Sequence, residues 1–587
     1  MMRTPNRKQT IKRIFKQLKS YVPLIILSIV MALITVAGNL VAPIFFGDAI
    51  NCIIDSENIY WDEIFFYFAL VGISIAVTCL SQWLLNIINN KITYSVTADI
   101  RREVFEHIQR LPLKYLDAHP YGDIVSRNIA DVDQFADGLL MGFTQFFTGV
   151  MTIVGALVMM FVYNWIIAIA VFVLTPLSLF IAKFISTKTY KLFRKNSAIR
   201  GEQTAFIDEM VGNLKVVQAF SHEGENTEKF DEINERLTKS SQDATFYSSL
   251  PNPTTRFVNA LVYAAVALAG ALTIIFALPL PFVFDVGRLT TLLSYANQYT
   301  KPFNEITGVI TELQNAIACA GRIYELIDEP AQPPDRVDAA EIEKVRGEVS
   351  FRDVSFSYSE ERKLIENLNI SAKAGQRIAI VGPTGCGKTT IINLLMRFYD
   401  VDGGSISVDG KDVRDITRRS LRKNYGMVLQ DTWLKSGTIK QNIAMGKPDA
   451  TDEEIIDAAK RAHSHKFIMQ LENGYDTVIS EDGGNLSQGQ KQLLCITRIM
   501  LSLPPMLILD EATSSIDTRT EMQIQEAFSQ MMEGRTSFIV AHRLSTVKNA
   551  DLILVMKDGK IIEQGRHDEL IALGGFYNKL YNSQFAV

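Results

Sequence analysis

One uncharged stretch, residues 138–182, restricts the possible folds of this chain more than any other feature. It runs for 45 residues without Asp, Glu, Lys or Arg. As a single α-helix it would be about 67 Å long, roughly twice the ~30 Å hydrocarbon core of a bilayer. It must therefore turn back, and the polar-aromatic sequence Tyr163-Asn164-Trp165 is the most suitable turn. The stretch predicts two membrane-spanning helices.

Four more segments predict further spans. Residues 20–47, 64–90 and 257–284 are uncharged, and each is long enough for one tilted helix. The sixth span is the weakest on hydropathy, because the apolar residues 289–300 are followed closely by Lys301 and other polar residues. An even number of spans is required if both ends of the chain are cytoplasmic. The sequence therefore predicts an all-α membrane domain of six helices.

The distribution of charge between the spans predicts their orientation. The first twenty residues contain seven Lys or Arg and no acidic residue, which places the N-terminus in the cytoplasm. Segments 91–137 and 183–256 are also rich in Lys and Arg and are expected on the same side. Residues 8–19 are expected to form an amphipathic helix on the membrane surface. A cleaved signal peptide is not expected, since the first apolar run is about twice the usual length.

The two basic segments are too long to be simple turns. Helices continuing over residues 91–109 and 183–211 would project on the order of 30 to 45 Å into the cytoplasm. Residues 113–122 and 212–221 would then form the tips of two helical hairpins, and both contain the Pro or Gly expected at a reversal. On this pattern alone, the tips are either docking elements or plain connecting loops.

A phosphate-binding loop lies in the C-terminal half. The β-rich residues 377–381 lead into Gly-Pro-Thr-Gly-Cys-Gly-Lys-Thr-Thr at 382–390, and an apolar helical run follows at 391–398. This strand-loop-helix context is the one that a P-loop requires. Its glycines let backbone N–H groups converge on phosphate, while Lys388 and Thr389 supply a charge and a Mg²⁺ ligand. The residues expected to bind nucleotide here are Gly382, Thr384, Gly385, Cys386, Gly387, Lys388, Thr389 and Thr390.

A second strand is predicted at residues 506–509 and ends in Asp510-Glu511. An aspartate at the end of such a strand is suited to the Mg²⁺ shell. The following glutamate is suited to polarise water for in-line attack on the γ-phosphate. About twenty residues earlier, Leu-Ser-Gln-Gly-Gln at 486–490 begins a helix predicted through Met500. Alternating strand and helix patterns predict an α/β domain after the polar, proline-rich residues 331–335.

Together these residues resemble the ATP-binding cassette (ABC) transporters, and among them the exporter-type half-transporters. The resemblance covers essentially the whole chain. It implies that the Ser487 run is the signature motif, which closes over the γ-phosphate of an ATP molecule held by the P-loop of the opposite subunit. It also implies that the hairpin tips are coupling helices, which dock on nucleotide-binding domains and transmit their closure to the membrane helices.

Further matches follow in the order typical of the family. Tyr358 resembles the aromatic residue that stacks on adenine, and Gln430 resembles the Q-loop glutamine. Asp517 belongs to a D-loop-like sequence, and His542 resembles the switch histidine. The catalytic residues implied are Lys388, Gln430, Glu511 and His542; the further nucleotide contacts are Ser487, Gly489, Gln490 and Asp517; and the Mg²⁺ ligands are Thr389, Gln430 and Asp510.

Three departures from the family pattern affect the expected assembly. Gln488 replaces the usual glycine of the signature, and Asp482 stands where homodimeric exporters commonly have arginine. The D-loop reads Ser-Ser-Ile-Asp, which is a mild change. The combination of Gln488 and Asp482 resembles the catalytically complete chain of heterodimeric bacterial multidrug exporters.

The expected organisation has four parts. Residues 1–20 form an amphipathic elbow, 21–325 a six-helix membrane domain, 326–340 a linker, and 341–587 an α/β P-loop ATPase domain. The resemblance implies an ATP- and Mg²⁺-dependent translocase of the bacterial cytoplasmic membrane with both termini in the cytoplasm. Its expected substrates are hydrophobic or amphipathic compounds, and its expected partner is a second half-transporter.

Several alternatives remain. An exporter-fold importer and a homodimeric lipid or drug flippase fit the same motifs. A soluble ABC ATPase of the DNA-repair or translation type is disfavoured by the uncharged spans. A dedicated nucleic-acid binder is disfavoured by the net charge of −5. The sequence contains five cysteines without CxxC spacing, so it indicates neither a metal site nor a disulfide scaffold.

Overall fold

The computed structural model of the chain describes residues 7–54, 61–276, 284–359, 363–429, 432–480, 483–484, 486–510, 516–540 and 547–584. The chain forms two compact units. The first contains Met1–Gln109 and Tyr121–Glu329, and the second contains Arg110–Pro120 and Pro330–Val587. The short segment Arg110–Pro120 is thus part of the second unit, although it follows a long helix of the first.

The described part of the first unit is helical. A π-helical turn at Gly142–Phe146 joins its fifth and sixth α-helices. In chain order the helices of this unit are α1 (Arg7–Leu18), α2 (Val22–Ile54), α3 (Trp61–Ile108), α5 (Tyr121–Asn128), α6 (Ala130–Met141), α7 (Phe147–Tyr163), α8 (Trp165–Gly212), α9 (Leu214–Ala219), α10 (Glu223–Ser249), α11 (Pro251–Ile275) and α12 (Val286–Asp328), with α4 (Leu113–Ala118) in the second unit.

The predicted turn in the 45-residue apolar stretch is confirmed. Helix α7 ends at Tyr163 and α8 begins at Trp165. Between them, the side-chain oxygen of Asn164 accepts hydrogen bonds from the backbone N–H groups of Ile166 (3.0 Å) and Ile167 (3.2 Å). Asn164 therefore caps the new helix by satisfying two of its otherwise unpaired donors.

Helices occur at all six predicted spans. By length and apolar composition, four of the described helical segments are able to cross a membrane: Arg7–Ile53, Trp61–Ile108, Tyr121–Tyr163 and Arg256–Ile275. The apolar part of α8, Trp165–Thr175, is shorter, and α12 does not meet this criterion. The helical architecture agrees with the sequence analysis, while the count of six spans stays a prediction.

The predicted continuation of two helices beyond their apolar stretches is also present. Helix α3 continues to Ile108 and α8 continues to Gly212. Each is followed by a short helix at the predicted tip, α4 or α9. Helix α12 ends at Asp328, slightly beyond the predicted domain boundary at residue 325.

The predicted amphipathic segment forms α1, and its polar side chains have partners within the first unit. Arg13 donates to the carboxylate of Asp328 at 2.6 Å. The Tyr324 hydroxyl donates to Gln17 at 2.6 Å. These contacts fix α1 against the end of α12. The sequence analysis did not predict them, because it placed residues 8–19 on the membrane surface.

Helices α2 and α12 are joined by hydrogen bonds to backbone carbonyls. Pro43, inside α2, lacks the N–H group that would otherwise bond to the carbonyl of Asn39. The side-chain amide of Gln298 donates to this carbonyl at 3.0 Å. The Tyr295 hydroxyl donates to the carbonyl of Leu40 at 2.8 Å. These bonds satisfy polar groups within an apolar helix pair, which explains why polar residues are tolerated there.

The second unit has an α/β core, as predicted. The strands are β1 (Val349–Phe356), β2 (Ile365–Ala372), β3 (Arg377–Val381), β4 (Gly403–Val408), β5 (Lys411–Asp412), β6 (Tyr425–Val428), β7 (Gly437–Thr438), β8 (Val478–Ile479), β9 (Met506–Asp510), β10 (Thr536–Val540), β11 (Leu552–Lys557) and β12 (Lys560–Gly565). A six-stranded sheet has the order β12-β11-β3-β10-β9-β6, and a four-stranded sheet has the order β2-β1-β4-β5.

Helices connect and cover these strands. They follow the apolar periodicity of the sequence, and several begin at a capping Ser, Thr or Asp. Beyond α4, the helices of this unit are α13 (Lys388–Leu395), α14 (Arg418–Lys423), α15 (Ile439–Ala444), α16 (Asp452–Arg461), α17 (His465–Ile468), α18 (Gln488–Ser502), α19 (Thr518–Met532), α20 (His567–Ala572) and α21 (Phe576–Gln584).

Strand register places the predicted site at one edge of the large sheet. Val540 on β10 pairs with Ile380 on β3 and with Asp510 on β9. All three strands are parallel, so their carboxyl ends meet at the same edge. The P-loop follows β3 directly, and Asp510 is the last residue of β9.

Candidate nucleotide-binding site

The P-loop has the backbone shape that its glycines predict. Gly385 (φ +80°) and Gly387 (φ +102°) occupy the left-handed region that residues with side chains rarely adopt. Helix α13 begins immediately afterwards at Lys388. The Lys388 ammonium donates to the carbonyls of Gly382 (2.9 Å) and Pro383 (3.0 Å). A buried positive charge therefore lies within the loop, at the N-terminus of a helix, where an anion is favoured.

Neighbouring side chains of the loop divide into exposed and buried groups. Thr384 and Thr389 are exposed, so their hydroxyls are accessible to a ligand. Thr390 is buried and accepts a hydrogen bond from the Tyr358 hydroxyl at 3.3 Å. Cys386 is also buried, and this burial raises the pKa of its thiol. Thr390 and Cys386 therefore support the loop from the protein side.

Tyr358 is held beside the P-loop by hydrogen bonds and ring contacts. Its hydroxyl accepts from the Asn393 amide at 3.0 Å, in addition to its bond to Thr390. Its ring lies edge-on to Phe356, at 4.9 Å between centroids, and to Tyr399, at 5.1 Å. Because Tyr358 keeps 38% of its surface exposed, it is accessible to a planar ligand next to the phosphate loop.

The side chains fit Mg²⁺ that arrives with a nucleotide. Thr389 and Asp510 offer the hard oxygen donors that Mg²⁺ prefers. Asp510 is buried at the end of β9. Among the described residues, no group of three or more His, Cys, Asp or Glu side chains is placed to hold a metal. Few protein ligands are expected for Mg²⁺ that is bound mainly through substrate phosphates.

The predicted signature residues form the start of α18. The Ser487 hydroxyl accepts from the N–H of Gln490 at 3.3 Å, and the Gln490 side chain accepts from the N–H of Ser487 at 2.9 Å. This reciprocal capping box occupies the Gln490 side chain, which was predicted to bind nucleotide. Ser487 is exposed, whereas a Cβ atom on Gly489 would lie 2.5 Å from the methyl group of Thr520. Gly489 is therefore required for packing against α19.

Gln488 and Asp517 also have local partners. The Gln488 amide donates to the hydroxyl of Thr432 at 3.3 Å. The Asp517 carboxylate accepts from the N–H of Thr520 at 2.9 Å and so caps α19. This backbone hydrogen bond holds the pKa of Asp517 below its ordinary value.

The P-loop and the signature pack into different hydrophobic clusters of the second unit. Cys386 and Ile391 belong to a cluster with β1 and β4, whereas Leu486 and Leu494 belong to one formed around α15 and α16. Gln430, Glu511 and His542 lie outside the described residues, and so does Asp482. Their predicted roles therefore stay predictions.

The structure also adds residues that no sequence motif singled out. Tyr399 contacts Tyr358, and its hydroxyl donates to Asp117 in the tip helix α4. The contact with Asp117 joins residues 282 positions apart, and neither belongs to a recognised motif. Local periodicity gives no signal for such a contact.

Comparison with known proteins agrees with this geometry. The family model for the ABC transporter transmembrane region matches residues 25–303, and the ABC transporter model matches residues 365–514. The chain is 35% identical over 584 residues to the ATP-dependent lipid A-core flippase of Desulfotalea psychrophila, covering 98% of this chain and 100% of that protein. It is 40% identical over 481 residues to the fatty acid ABC transporter ATP-binding/permease protein of Mycobacterium bovis, covering 82% and 75%.

A solved structure is also similar to this chain over nearly its whole length. The structure of a bacterial Atm1-family ABC exporter with ATP bound matches with a TM-score of 0.77 and 27% identity, covering 96% of this chain and 98% of that one. The chain therefore belongs to the ABC transporter family. Within it, the chain is an exporter-type half-transporter, with one helical membrane domain followed by one ATP-hydrolysing domain.

Proposed function

We propose that this chain is one half of a dimeric exporter that uses ATP to move hydrophobic or amphipathic compounds out across the bacterial cytoplasmic membrane. Both termini would lie in the cytoplasm. The observation that carries the proposal is the P-loop geometry, in which the buried Lys388 ammonium lies within a glycine loop at the start of α13. The neighbouring Tyr358 is fixed to α13 by its hydroxyl, which suits it to stack on adenine.

In the proposed cycle, two halves close around two ATP molecules. Each ATP lies between the P-loop of one chain and the Ser487 signature of the other. Glu511 accepts a proton from the attacking water, while Lys388 and His542 stabilise charge on the transferring phosphoryl group. Thr389, Gln430 and Asp510 would hold Mg²⁺, which when bound would supply positive charge to the phosphate oxygens.

We further propose a heterodimer, supported by Gln488 and Asp482, which resemble the complete chain of heterodimeric exporters. In that assembly, a degenerate partner would leave only the site containing Glu511 of this chain active. The test is purification of the chain alone and with its partner half-transporter. An active dimer formed by this chain alone would contradict the heterodimer.

The proposed substrate class is supported by the membrane helices and by the relatives. The predicted spans are almost free of charged residues, so a strongly charged polar solute would find few partners there. The relatives reported above are named for a fatty acid and for lipid A-core, both amphipathic. The similarity to the lipid A-core flippase, which covers 98% of this chain and 100% of that protein, favours a lipid flippase as the second candidate.

The direction of transport is tested in inverted membrane vesicles. Export predicts ATP-dependent uptake of a hydrophobic or amphipathic probe into these vesicles, because their cytoplasmic face points outward. ATP-dependent loss of preloaded probe from the vesicles would instead indicate import.

Replacement of Glu511 by Gln tests the catalytic assignment. Steady-state ATPase is expected to fall about 100-fold or more, in the range lost with a general base, while ATP still binds. The control is Glu472→Gln, which alters an exposed glutamate of the same unit. Near-wild-type turnover of Glu511→Gln would contradict the role of Glu511 as the base.

A further inference from the structure

Tyr399 lies between Tyr358, beside the P-loop, and the tip helix α4, and both belong to the second unit. It is only 9% exposed. Its ring is edge-on to Tyr358 (5.1 Å between centroids) and to Phe356 (5.5 Å). Its hydroxyl donates to the carboxylate of Asp117 in α4. One side chain therefore contacts both the aromatic residue of the nucleotide site and the tip of the first cytoplasmic hairpin.

The tip is fixed to the second unit at further points. Leu113, the first residue of α4, packs against the hydrophobic cluster that includes Phe356 and Tyr399. The backbone N–H of Gln332 donates to the carbonyl of Arg110 at 2.8 Å. A crevice of about 180 Å³ separates other parts of the tip from the aromatic rings. The tip is thus seated by a few contacts and is not fully packed.

A cluster of ion pairs holds the loop that carries Tyr399. Arg397 donates to Asp400 at 2.8 Å, so this ion pair spans Tyr399 along the chain. Arg418 donates to Asp400 at 3.1 Å and to Asp335 at 2.7 Å. Both arginines are buried. Breaking one of these pairs would leave an uncompensated charge, which is destabilising. The cluster therefore opposes movement of the loop that carries Tyr399.

Among the described residues, the Tyr399 side chain thus contacts both Tyr358 of the proposed nucleotide site and Asp117 of α4. We propose that Tyr399 is a positioning residue through which nucleotide contact at Tyr358 is communicated to Asp117 in α4. The inference rests on the proposed nucleotide site.

Hydrogen exchange of the purified full-chain assembly, with and without Mg²⁺ and a non-hydrolysable ATP analogue, tests the link. In the wild type, the nucleotide is expected to slow exchange in residues 110–120. Tyr399→Phe keeps the ring but removes the hydroxyl. Its nucleotide affinity should stay within about twofold of wild type, while the nucleotide-dependent protection of residues 110–120 is lost.

Two variants of Asp117 separate a positioning role from general damage. Asp117→Asn retains an oxygen that accepts from Tyr399 and should retain the protection, whereas Asp117→Leu should lose it. The matched control is Tyr475→Phe, which removes a tyrosine hydroxyl bonded to His465 at 2.9 Å elsewhere in the unit. This control should behave as wild type.

Different results overturn different claims. Wild-type protein that binds nucleotide without altered exchange in residues 110–120 would overturn the inference. Tyr399→Phe protein that keeps the protection, or that loses nucleotide affinity, would also overturn it. Failure of the wild-type assembly to bind nucleotide would contradict the proposed function, and the inference with it.

Discussion

The two hairpin tips have similar sequence patterns but different surroundings. In α4, Leu113 packs into a hydrophobic cluster of the second unit and Asp117 binds Tyr399. In α9, Leu214 and Val216 keep 48% and 55% of their surface exposed, and Phe220 just beyond keeps 72%. The first tip thus contacts residues of its own chain, whereas the second tip has apolar side chains exposed to solvent.

This difference supports the proposed dimer. A contiguous group of exposed apolar side chains often marks an interaction surface, whereas single exposed apolar residues are common on any protein. A tip that docks on a nucleotide-binding domain must bury such residues. We therefore propose that α9 docks on the second half-transporter, while α4 docks within its own chain. The two tips thus differ in burial, although the family resemblance implies that both are coupling helices.

Among variants of the two tips, the largest expected effect comes from a charge in the exposed helix α9. Val216→Asp places a carboxylate in the proposed interface, where an unpaired charge is costly. ATPase of the assembled transporter should fall at least about tenfold, since a penalty of 1.4 kcal/mol is a factor of ten. Nucleotide affinity should not change. Val337→Asp, at a fully exposed position, is the control. Normal ATPase in Val216→Asp would contradict the proposed docking of α9.

A smaller effect is expected on the free energy of unfolding when one leucine of each tip is replaced by alanine. Leu113→Ala removes a half-buried side chain and should destabilise the second unit by about 1–2 kcal/mol, less than the 2–5 kcal/mol typical of a buried leucine. Leu214→Ala should change stability by less than about 0.5 kcal/mol, because this leucine is exposed. Thermal unfolding of the full chain measures both. Equal losses for the two variants would remove the distinction between the tips.

The smallest effect concerns the end of each tip helix. His119 stacks on Tyr115 at 4.1 Å between ring centroids, and its Nδ1 is 2.8 Å from the Tyr115 carbonyl oxygen. His119→Ala should raise hydrogen exchange in residues 113–118 by a factor that corresponds to about 0.5–1 kcal/mol. His222→Ala, which removes an exposed partner of Glu225 after α9, should leave exchange in residues 214–219 unchanged. A larger change in hydrogen exchange for His222→Ala than for His119→Ala would show that α9 depends more on its histidine contact than α4 does.

Features encoded by local pattern were predictable from the sequence. The turn at Asn164, the P-loop and the start of α18 at Gln488 each depend on residues close together in the chain, and the structure confirms all three. The continuation of α3 and α8 beyond their apolar stretches follows from continuous helical sequence in the same way.

Contacts between distant segments were not predictable. The bond between Asp117 and Tyr399 and the ion pair between Arg13 and Asp328 join residues far apart in the chain, and a single sequence contains no periodicity that reports them. The capping role of Gln490 was missed for another reason. Its family motif suggested a ligand contact, while its spacing of three residues from Ser487 also fits a capping box.

The central proposal is that this chain is half of an ATPase, in which each site would combine the P-loop of one chain with the signature of another. The most direct test measures ATP hydrolysis per chain in fractions of the purified protein separated by size. Hydrolysis is expected only in the dimeric fraction, formed with the partner half-transporter, and should be absent from the monomer. Equal hydrolysis per chain by a stable monomer would contradict the account.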